Sequence, residues 1–213
     1  SKEQKEELLK KLRLYSLRQN VKIIESDLIT LVTNDLENFK YIKRDKRFYK
    51  TNIGRIYLKK EEFDKKAMNH FTDDIFWYQH EKIKNCVLEG ENEIPTNKIY
   101  PFEIGMHLNK GISFEKGCFI GQEVIARVKY KGSIKKYCCG FESLEKDYLQ
   151  LDDNFKKIKK NSVEIGEIIY LQNFKIKTLG FCLVKSKYLE KVVKETQCFY
   201  NNQSLTIYKP FQM

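Results

Sequence analysis

The chain has 213 residues, of which 41% are hydrophobic and 32% are charged. This balance fits one large folded domain or two small ones and excludes a disordered chain. No apolar run approaches the ~18 residues that a membrane span requires. The first residues, SKEQKEELLKKL, lack the apolar region of a signal peptide. With no signal peptide, six cysteines favour reduced thiols in an intracellular compartment.

The net charge is strongly basic, with 40 Lys and Arg against 29 Asp and Glu, or +11. Such a balance raises the possibility of a nucleic-acid partner, because Lys and Arg bind phosphates. The lysines are scattered in short clusters among acidic residues, however, and no arginine-rich stripe occurs. We therefore favour a solvated basic surface, which would also attract an anionic small ligand.

The first part of the chain mixes helix and strand patterns. Residues 3–18 predict an amphipathic helix, because leucines recur there every three to four positions. Residues 21–26 and 28–33 predict two strands, and 54–60 predicts a third. A short helix is expected over 61–69.

Two further helices follow. The first is expected to be capped by Thr72 or Asp73 and to run to about Leu88. The second opens from a turn at Gly121 and begins at Gln122. Its inner face is predicted to consist of Val124, Ile125 and Val128.

From residue 135 onward the pattern becomes a series of short β-like runs separated by turn signals. One of these signals is Asn201-Asn202, between the last two runs. Strands at this spacing predict a small antiparallel barrel or sandwich. The chain is therefore expected to divide near residue 131 into an α+β part and a β part.

Metal chemistry within the chain is not favoured, because no CxxC or HExxH pattern occurs and the three histidines are far apart. Cys138 and Cys139 are adjacent, so their side chains should point to opposite faces of a strand. We expect the cysteines of the β part to pack in its strands. They are Cys138, Cys139, Cys182 and Cys198.

Cys118 lies in EKGCFIGQEVIAR and has two interpretations. A thiol just before a helix N-terminus, with Lys116 nearby, is in a position that favours the thiolate. Gly117 would allow a positive φ or a close approach to a ligand. On the residues alone, burial as a small apolar side chain is the favoured interpretation. Glu123 is equally open, either stabilising the first helical turn or binding a ligand.

The segment KGCFIGQE (116–123) resembles the K-G-C-[FY]-x-G-Q-E signature of the YgfZ-like folate-binding family. That family acts in iron–sulfur protein maturation and is related to the glycine-cleavage T-protein. Flanking segments fall in the family's order, among them an Asp-x-Arg segment and a Gly-x-Arg-like strand within 44–58. A Pro-x-Glu segment follows within 100–118. The resemblance covers essentially the whole chain, but only the signature is highly specific.

The resemblance implies an α+β fold, a T-protein-like ring of domains around a central channel that holds tetrahydrofolate. Residues 1–130 would form the folate-binding region and 131–213 an antiparallel β-barrel that completes the ring. Cys118 would present the key thiol to the channel. The residues expected to bind the cofactor are Lys116, Gln122, Glu123, Arg127 and Glu103.

The implied function is that of an accessory factor for the assembly or repair of iron–sulfur clusters. Its partners would be cluster-assembly proteins and client enzymes, including radical enzymes that modify tRNA, with no direct nucleic-acid binding and no membrane. A monomer is expected, in the bacterial cytoplasm or the mitochondrial matrix. Whether the chain is itself an enzyme stays open.

Two departures from the family pattern stand out. Cys86 lies where the family commonly has a small residue or glycine. Residues 8–23 resemble the helix and strand with which the family's pattern begins here, but the family has further residues before them, so the chain is expected to be shortened at its N-terminus.

Two alternative functions remain. One is a tetrahydrofolate-dependent aminomethyltransferase of the glycine-cleavage type, although that family resembles K-x-D-F-I-G and has no cysteine there. The other is a basic tRNA-binding protein, suggested by the charge and the β-rich C-terminal part.

Overall fold

The structure is a computed structural model that describes residues 4–17, 19–37, 39, 41–48, 51–59, 61, 75–144, 149–151, 157–194 and 198–210. The helices are α1 (Lys5–Tyr15), α2 (Phe76–Lys84), α3 (Gly90–Glu93), α4 (Gln122–Lys131) and α5 (Leu189–Lys194), with a 3-10 turn at Ser186–Tyr188. The strands are β1 (Leu28–Thr33), β2 (Lys43–Arg44), β3 (Gly54–Lys59), β4 (Lys136–Ser143), β5 (Lys157–Lys160), β6 (Val163–Asn173), β7 (Thr178–Lys185), β8 (Cys198–Tyr200) and β9 (Gln203–Tyr208). No helix in these ranges is long and apolar enough to cross a membrane.

The C-terminal part forms a closed antiparallel barrel in the order β4-β7-β6-β5-β8-β9. This confirms the predicted barrel and the turn at Asn201-Asn202, where both residues have positive φ. Asparagine tolerates that conformation better than most residues, which explains the tight β8–β9 hairpin. The T-protein-like ring and the boundary near residue 131 stay predictions.

The barrel has apolar residues on both its inner and outer faces at strand β7, which lies between β4 and β6 and is buried on both sides. Successive side chains of a strand point to opposite faces. Cys182 therefore packs with the first buried cluster, which also contains Cys139. Cys138 packs with Leu183 in a second cluster that includes Ile83 of α2. The predicted opposite orientation of Cys138 and Cys139 is thus confirmed, as is the burial of the β-part cysteines.

Helix α2 lies directly against the barrel, and a glycine permits the contact. A Cβ atom at Gly140 of β4 would lie 1.9 Å from the carbonyl oxygen of Ile83. The helix ends at Lys84, earlier than predicted, and its predicted caps at residues 72 and 73 lie outside the described residues.

Cys86 explains where this helix stops. Its φ is +54°, the left-handed conformation that glycine adopts most easily. Its buried Sγ accepts a hydrogen bond from the Gly140 amide at 3.1 Å and donates one to the Tyr208 carbonyl at 3.2 Å. The cysteine therefore takes a glycine-like backbone conformation and ties the end of α2 to the barrel.

The N-terminal elements form a smaller sheet in the order β1-β3-β2. Strands β1 and β3 confirm two predictions, and α1 confirms the first helix, although none of its residues is buried. The predicted strand at 21–26 is wrong: the segment has no regular structure, and Ile24 is 75% exposed. The predicted helix at 61–69 lies, beyond residue 61, outside the described residues.

A buried ion pair lies between α2 and α3. Lys82 Nζ is 2.5 Å from Glu93 Oε1, and both side chains are about 5% exposed or less. The second Glu93 oxygen accepts a hydrogen bond from the Glu89 amide at 2.7 Å. Glu89 also places a carboxylate oxygen 3.7 Å from Lys82 Nζ. This arrangement fixes the loop after α2 against the helix.

Candidate functional site

The signature segment forms an exposed loop that leads into helix α4. Gly121 precedes the helix with φ +88°, and the Gln122 amide donates to the Phe119 carbonyl at 3.1 Å. A Cβ atom at Gly121 would contact nothing, so the glycine is required by its backbone conformation alone. Gly117 does not adopt the positive φ that a glycine would allow, and a Cβ atom there would also contact nothing.

Cys118 is exposed, whereas the five other cysteines are buried. The burial that the residues alone favoured is therefore wrong for this position. An exposed thiol can react with a molecule that approaches from solution, and the thiolate is the form that attacks or binds a metal. In the described ranges, no group of three or more His, Cys, Asp or Glu is arranged to hold a metal ion.

The other predicted site residues are not gathered around the thiol in one pocket. Glu123 and Arg127 bind each other at 2.8 Å on the exposed surface of α4. Glu103 accepts a hydrogen bond from the Tyr100 amide at 2.9 Å and so closes a local turn. Gln122 is half-buried at the start of the helix. The helix-stabilising interpretation of Glu123 agrees with its position and its partner.

Lys116 is held differently from these residues. Its Nζ lies over the ring of Phe119, 4.4 Å from the centroid, which is a cation–π distance. Lys116 also lines a cavity of about 350 Å³ beside the signature loop. We call this the loop cavity. It is lined by Pro101, Met106, Gly111, Ile112, Ser113, Lys116, Phe119, Ile120, Gly121, Val124 and Ile125.

Helix α4 does not bury the face that was predicted. Val124 is 50% exposed, Ile125 and Val128 are only half-buried, and the helix has no buried residue. Val124 and Ile125 line the loop cavity instead of packing in a core. The apolar side of the helix therefore faces a concave surface that is open to solvent.

A charge cluster that was not among the predicted site residues joins β3 to the loop after α2. Asp45 binds both Arg47, at 2.6 Å, and Arg55, at 3.0 Å. Both guanidinium groups also bind Glu89, and Tyr78 donates to the same carboxylate at 3.0 Å. Two arginines thus neutralise two carboxylates in a half-buried site.

The pKa values in this cluster follow from its pairing. Burial acts to raise the pKa of Asp45, but Arg47 and Arg55 outweigh it and lower the pKa to about 2. The pKa of Glu89 is likewise lowered by the arginines against its burial. Burial and the Glu89 charge raise the pKa of Tyr78. Both carboxylates stay ionised and remain paired with the two arginines, so the cluster is suited to holding β3 and the loop after α2 together. Arg47 lies in the Asp-x-Arg segment and Arg55 in the Gly-x-Arg-like strand. These two family-like segments were the sequence signal that could have pointed to the charge cluster.

A second polar cluster links α2 to the barrel. Lys177 Nζ lies 2.8 Å from Glu142 Oε2 and 3.0 Å from His80 Nε2, and Tyr208 donates to Glu142. Burial, with the Lys177 charge, lowers the pKa of His80, so its neutral ring accepts the lysine hydrogen bond. These groups satisfy one another across three elements of the fold.

Comparison with known proteins points to iron–sulfur cluster assembly factors. The chain is 38% identical over 63 residues to the mitochondrial iron–sulfur cluster assembly factor IBA57 homolog of Phaeosphaeria nodorum. It is 36% identical over 63 residues to human mitochondrial IBA57, and 42% identical over 48 residues to the Neurospora crassa homolog. None of the protein-family models matches the chain.

These similarities are local. The matched stretch covers 30% of this chain and 16% of the Phaeosphaeria protein, and 30% and 18% for the human protein. For the Neurospora protein the shares are 22% and 11%. The chain thus matches less than a fifth of the length of these curated relatives, and it is similar to iron–sulfur cluster assembly factors over that part.

Proposed function

We propose that this protein is an accessory factor for the assembly or repair of iron–sulfur clusters on client enzymes, with Cys118 as its working thiol. The observation that carries the proposal is the exposure of Cys118, alone among six cysteines, within KGCFIGQE. The local similarity to iron–sulfur cluster assembly factors supports the same function. The similarity supports the cluster-assembly part of the proposal, and the exposed thiol supports Cys118 as a residue that can reach a partner.

The cluster is cargo in this proposal, not a resident group. A thiolate is the ordinary protein ligand of iron–sulfur clusters, which take about four such ligands. Cys118 offers one, so the remaining ligands would come from the partner that delivers or receives the cluster. On binding, the thiol loses its proton to solvent, which its exposure allows. A redox role for the same thiol is the alternative within this proposal.

Tetrahydrofolate binding and the T-protein-like ring belong to the proposal only through the family resemblance. Of the residues assigned to the cofactor, Lys116 lines the loop cavity, whereas Glu123 and Arg127 pair with each other. Glu103 is engaged by a backbone amide. These side chains do not converge on one enclosed site, so we derive no chemical step through folate. Titration of the protein with tetrahydrofolate, followed by intrinsic fluorescence, tests this part separately.

The partners in this proposal are cluster-assembly proteins and iron–sulfur client enzymes, among them radical enzymes that modify tRNA. The relatives are named mitochondrial, which favours the mitochondrial matrix of the two compartments considered. We propose that the protein acts as a monomer and does not bind nucleic acid directly.

Complementation tests the proposed function. A strain that lacks its own factor of this class would receive the full chain, Cys118→Ser, or the control Ser133→Ala at another exposed position. The activity of an iron–sulfur client enzyme should recover with the full chain and the control, and stay low with Cys118→Ser at equal protein level. Full recovery with Cys118→Ser would show that the thiol has no part in the function.

A further inference from the structure

The loop cavity has a mostly apolar lining and a wide opening to solvent. Of its lining residues, only Ser113 and Lys116 have polar side chains, and the others are apolar or glycine. Small-molecule sites usually enclose most of the ligand's surface. This cavity of about 350 Å³ is open at the surface, and it can receive an apolar side chain that projects from another molecule.

The rim of the cavity exposes large apolar side chains. Ile120 is 82% exposed, Val124 50% and Met106 36%. Single exposed apolar residues are common on protein surfaces, but these three share one concave site. Such a grouping is typical of surfaces that bind another macromolecule.

The stretch of chain that supplies most of the cavity lining is positively charged. Residues 110–135 contain six Lys and Arg and two Glu, and one of those, Glu123, is already paired with Arg127. Two of the lysines are held over aromatic rings: Lys116 over Phe119, and Lys129 over Phe114 at 3.6 Å. The first contact holds a positive charge at the cavity itself, because Lys116 also lines it.

We propose that the loop cavity is a docking site for an acidic partner protein that inserts an exposed apolar side chain. The apolar lining would accept the anchor side chain, and the lysines would pair with the surrounding carboxylates. A second copy of this chain does not match, because two copies at +11 repel each other. The inference rests on the proposed function in one respect: the signature loop that lines the cavity also carries Cys118, so a docked partner could exchange a cluster with this thiol.

The test uses defined probes on the full chain. The probe is a short acidic peptide with one central leucine, and its controls replace the leucine by serine or the acidic residues by lysine. Binding is followed by amide chemical shifts in nuclear magnetic resonance. We expect shift changes confined to the cavity lining, and an affinity for the serine peptide at least about tenfold weaker.

A matched pair of variants separates the site from general charge effects. Ile120→Glu places a carboxylate at the cavity rim, and Ile176→Glu makes the same change at a position that is 71% exposed and does not line the cavity. The first should weaken peptide binding at least about tenfold by repulsion and lost apolar contact, and the second should leave it within about twofold. Both positions are on the surface, so both variants should fold.

Several results would overturn the proposal. One is that the lysine peptide binds as tightly as the acidic peptide, and another is that Ile120→Glu and Ile176→Glu weaken binding equally. Anionic lipid vesicles that shift the same amides more strongly, or tetrahydrofolate that displaces the peptide, would identify a different ligand. Self-association of the protein through Ile120, seen as a dependence on concentration, would identify a second copy as the occupant. The test is independent of Cys118 chemistry. Peptide binding without any client activation would contradict the proposed function alone, and the reverse would contradict the docking site alone.

Discussion

The exposure of Cys118 predicts a large difference in reactivity among the cysteines, which can be measured directly. The perturbation is brief treatment of the folded protein with N-ethylmaleimide, which alkylates thiolates. Cys118 is open to the reagent. Cys86, Cys139 and Cys182 are at most 5% exposed and can react only after the surrounding structure opens.

The magnitude follows from the cost of opening. A folded domain is stable by about 5 kcal/mol or more, and each 1.4 kcal/mol is a factor of ten, so core thiols should react about three to four orders of magnitude more slowly than when unfolded. Burial also raises the pKa of Cys86 to about 12 and raises the pKa of Cys139 and Cys182, so these thiols stay protonated in the closed structure and react only through the opening. Cys118 should react within about tenfold of its unfolded rate, since it needs no opening.

The assay quantifies each alkylated cysteine by peptide mass spectrometry, in buffer and again in denaturing urea. The ratio of the two rates at one position cancels the intrinsic reactivity of its sequence. A native rate for Cys86 or Cys182 that matches that of Cys118 would refute the described barrel core. A Cys118 rate as slow as theirs would refute the exposed signature loop.

Three further predictions concern stability. Glu93→Gln removes the closest counter-charge of the buried Lys82 ammonium and should cost about 3 kcal/mol, seen as a fall in Tm of about 6–12 °C; a fall under 2 °C would contradict the buried pair. Because the folded pKa of Asp45 lies below its usual 3.8, its contribution is present above about pH 4 and lost as the pH falls towards 2. Asp45→Asn should therefore flatten the acid side of the stability profile, and an unchanged profile would count against the cluster. Gly121→Ala should destabilise by about 1 kcal/mol because of its positive φ, whereas Gly117→Ala should be nearly neutral, and equal Tm values would contradict the loop geometry.

The barrel was predictable because its signals are local. Short β-like runs separated by turn signals such as Asn201-Asn202 specify hairpins between neighbours in sequence. Strand β5 escaped prediction because its KIKK sequence has a single buried apolar residue, Ile158. The segment 21–26 has β-branched residues but no neighbouring strand to pair with in the described sheet, which its pattern alone cannot reveal.

The sequence could predict which segment carries the candidate site, but not how its side chains are arranged in space. The signature located Cys118 and the turn at Gly121, because both depend on a short segment. The charge cluster forms only when the fold brings Glu89, from a distant part of the chain, to the arginines that bind Asp45. The exposed apolar face of α4 has the same periodicity as a buried face, so the sequence pattern cannot distinguish them.

The most direct test of the proposed function uses purified proteins. An iron–sulfur client enzyme without its cluster is incubated with a cluster-assembly mixture, and its activity is followed after addition of the full chain or Cys118→Ser. We predict that the full chain increases the rate or yield of active client and that Cys118→Ser, folded to the same Tm, does not. Equal stimulation by both proteins, or by neither, would contradict the assignment of Cys118 as the working thiol of a cluster-assembly factor.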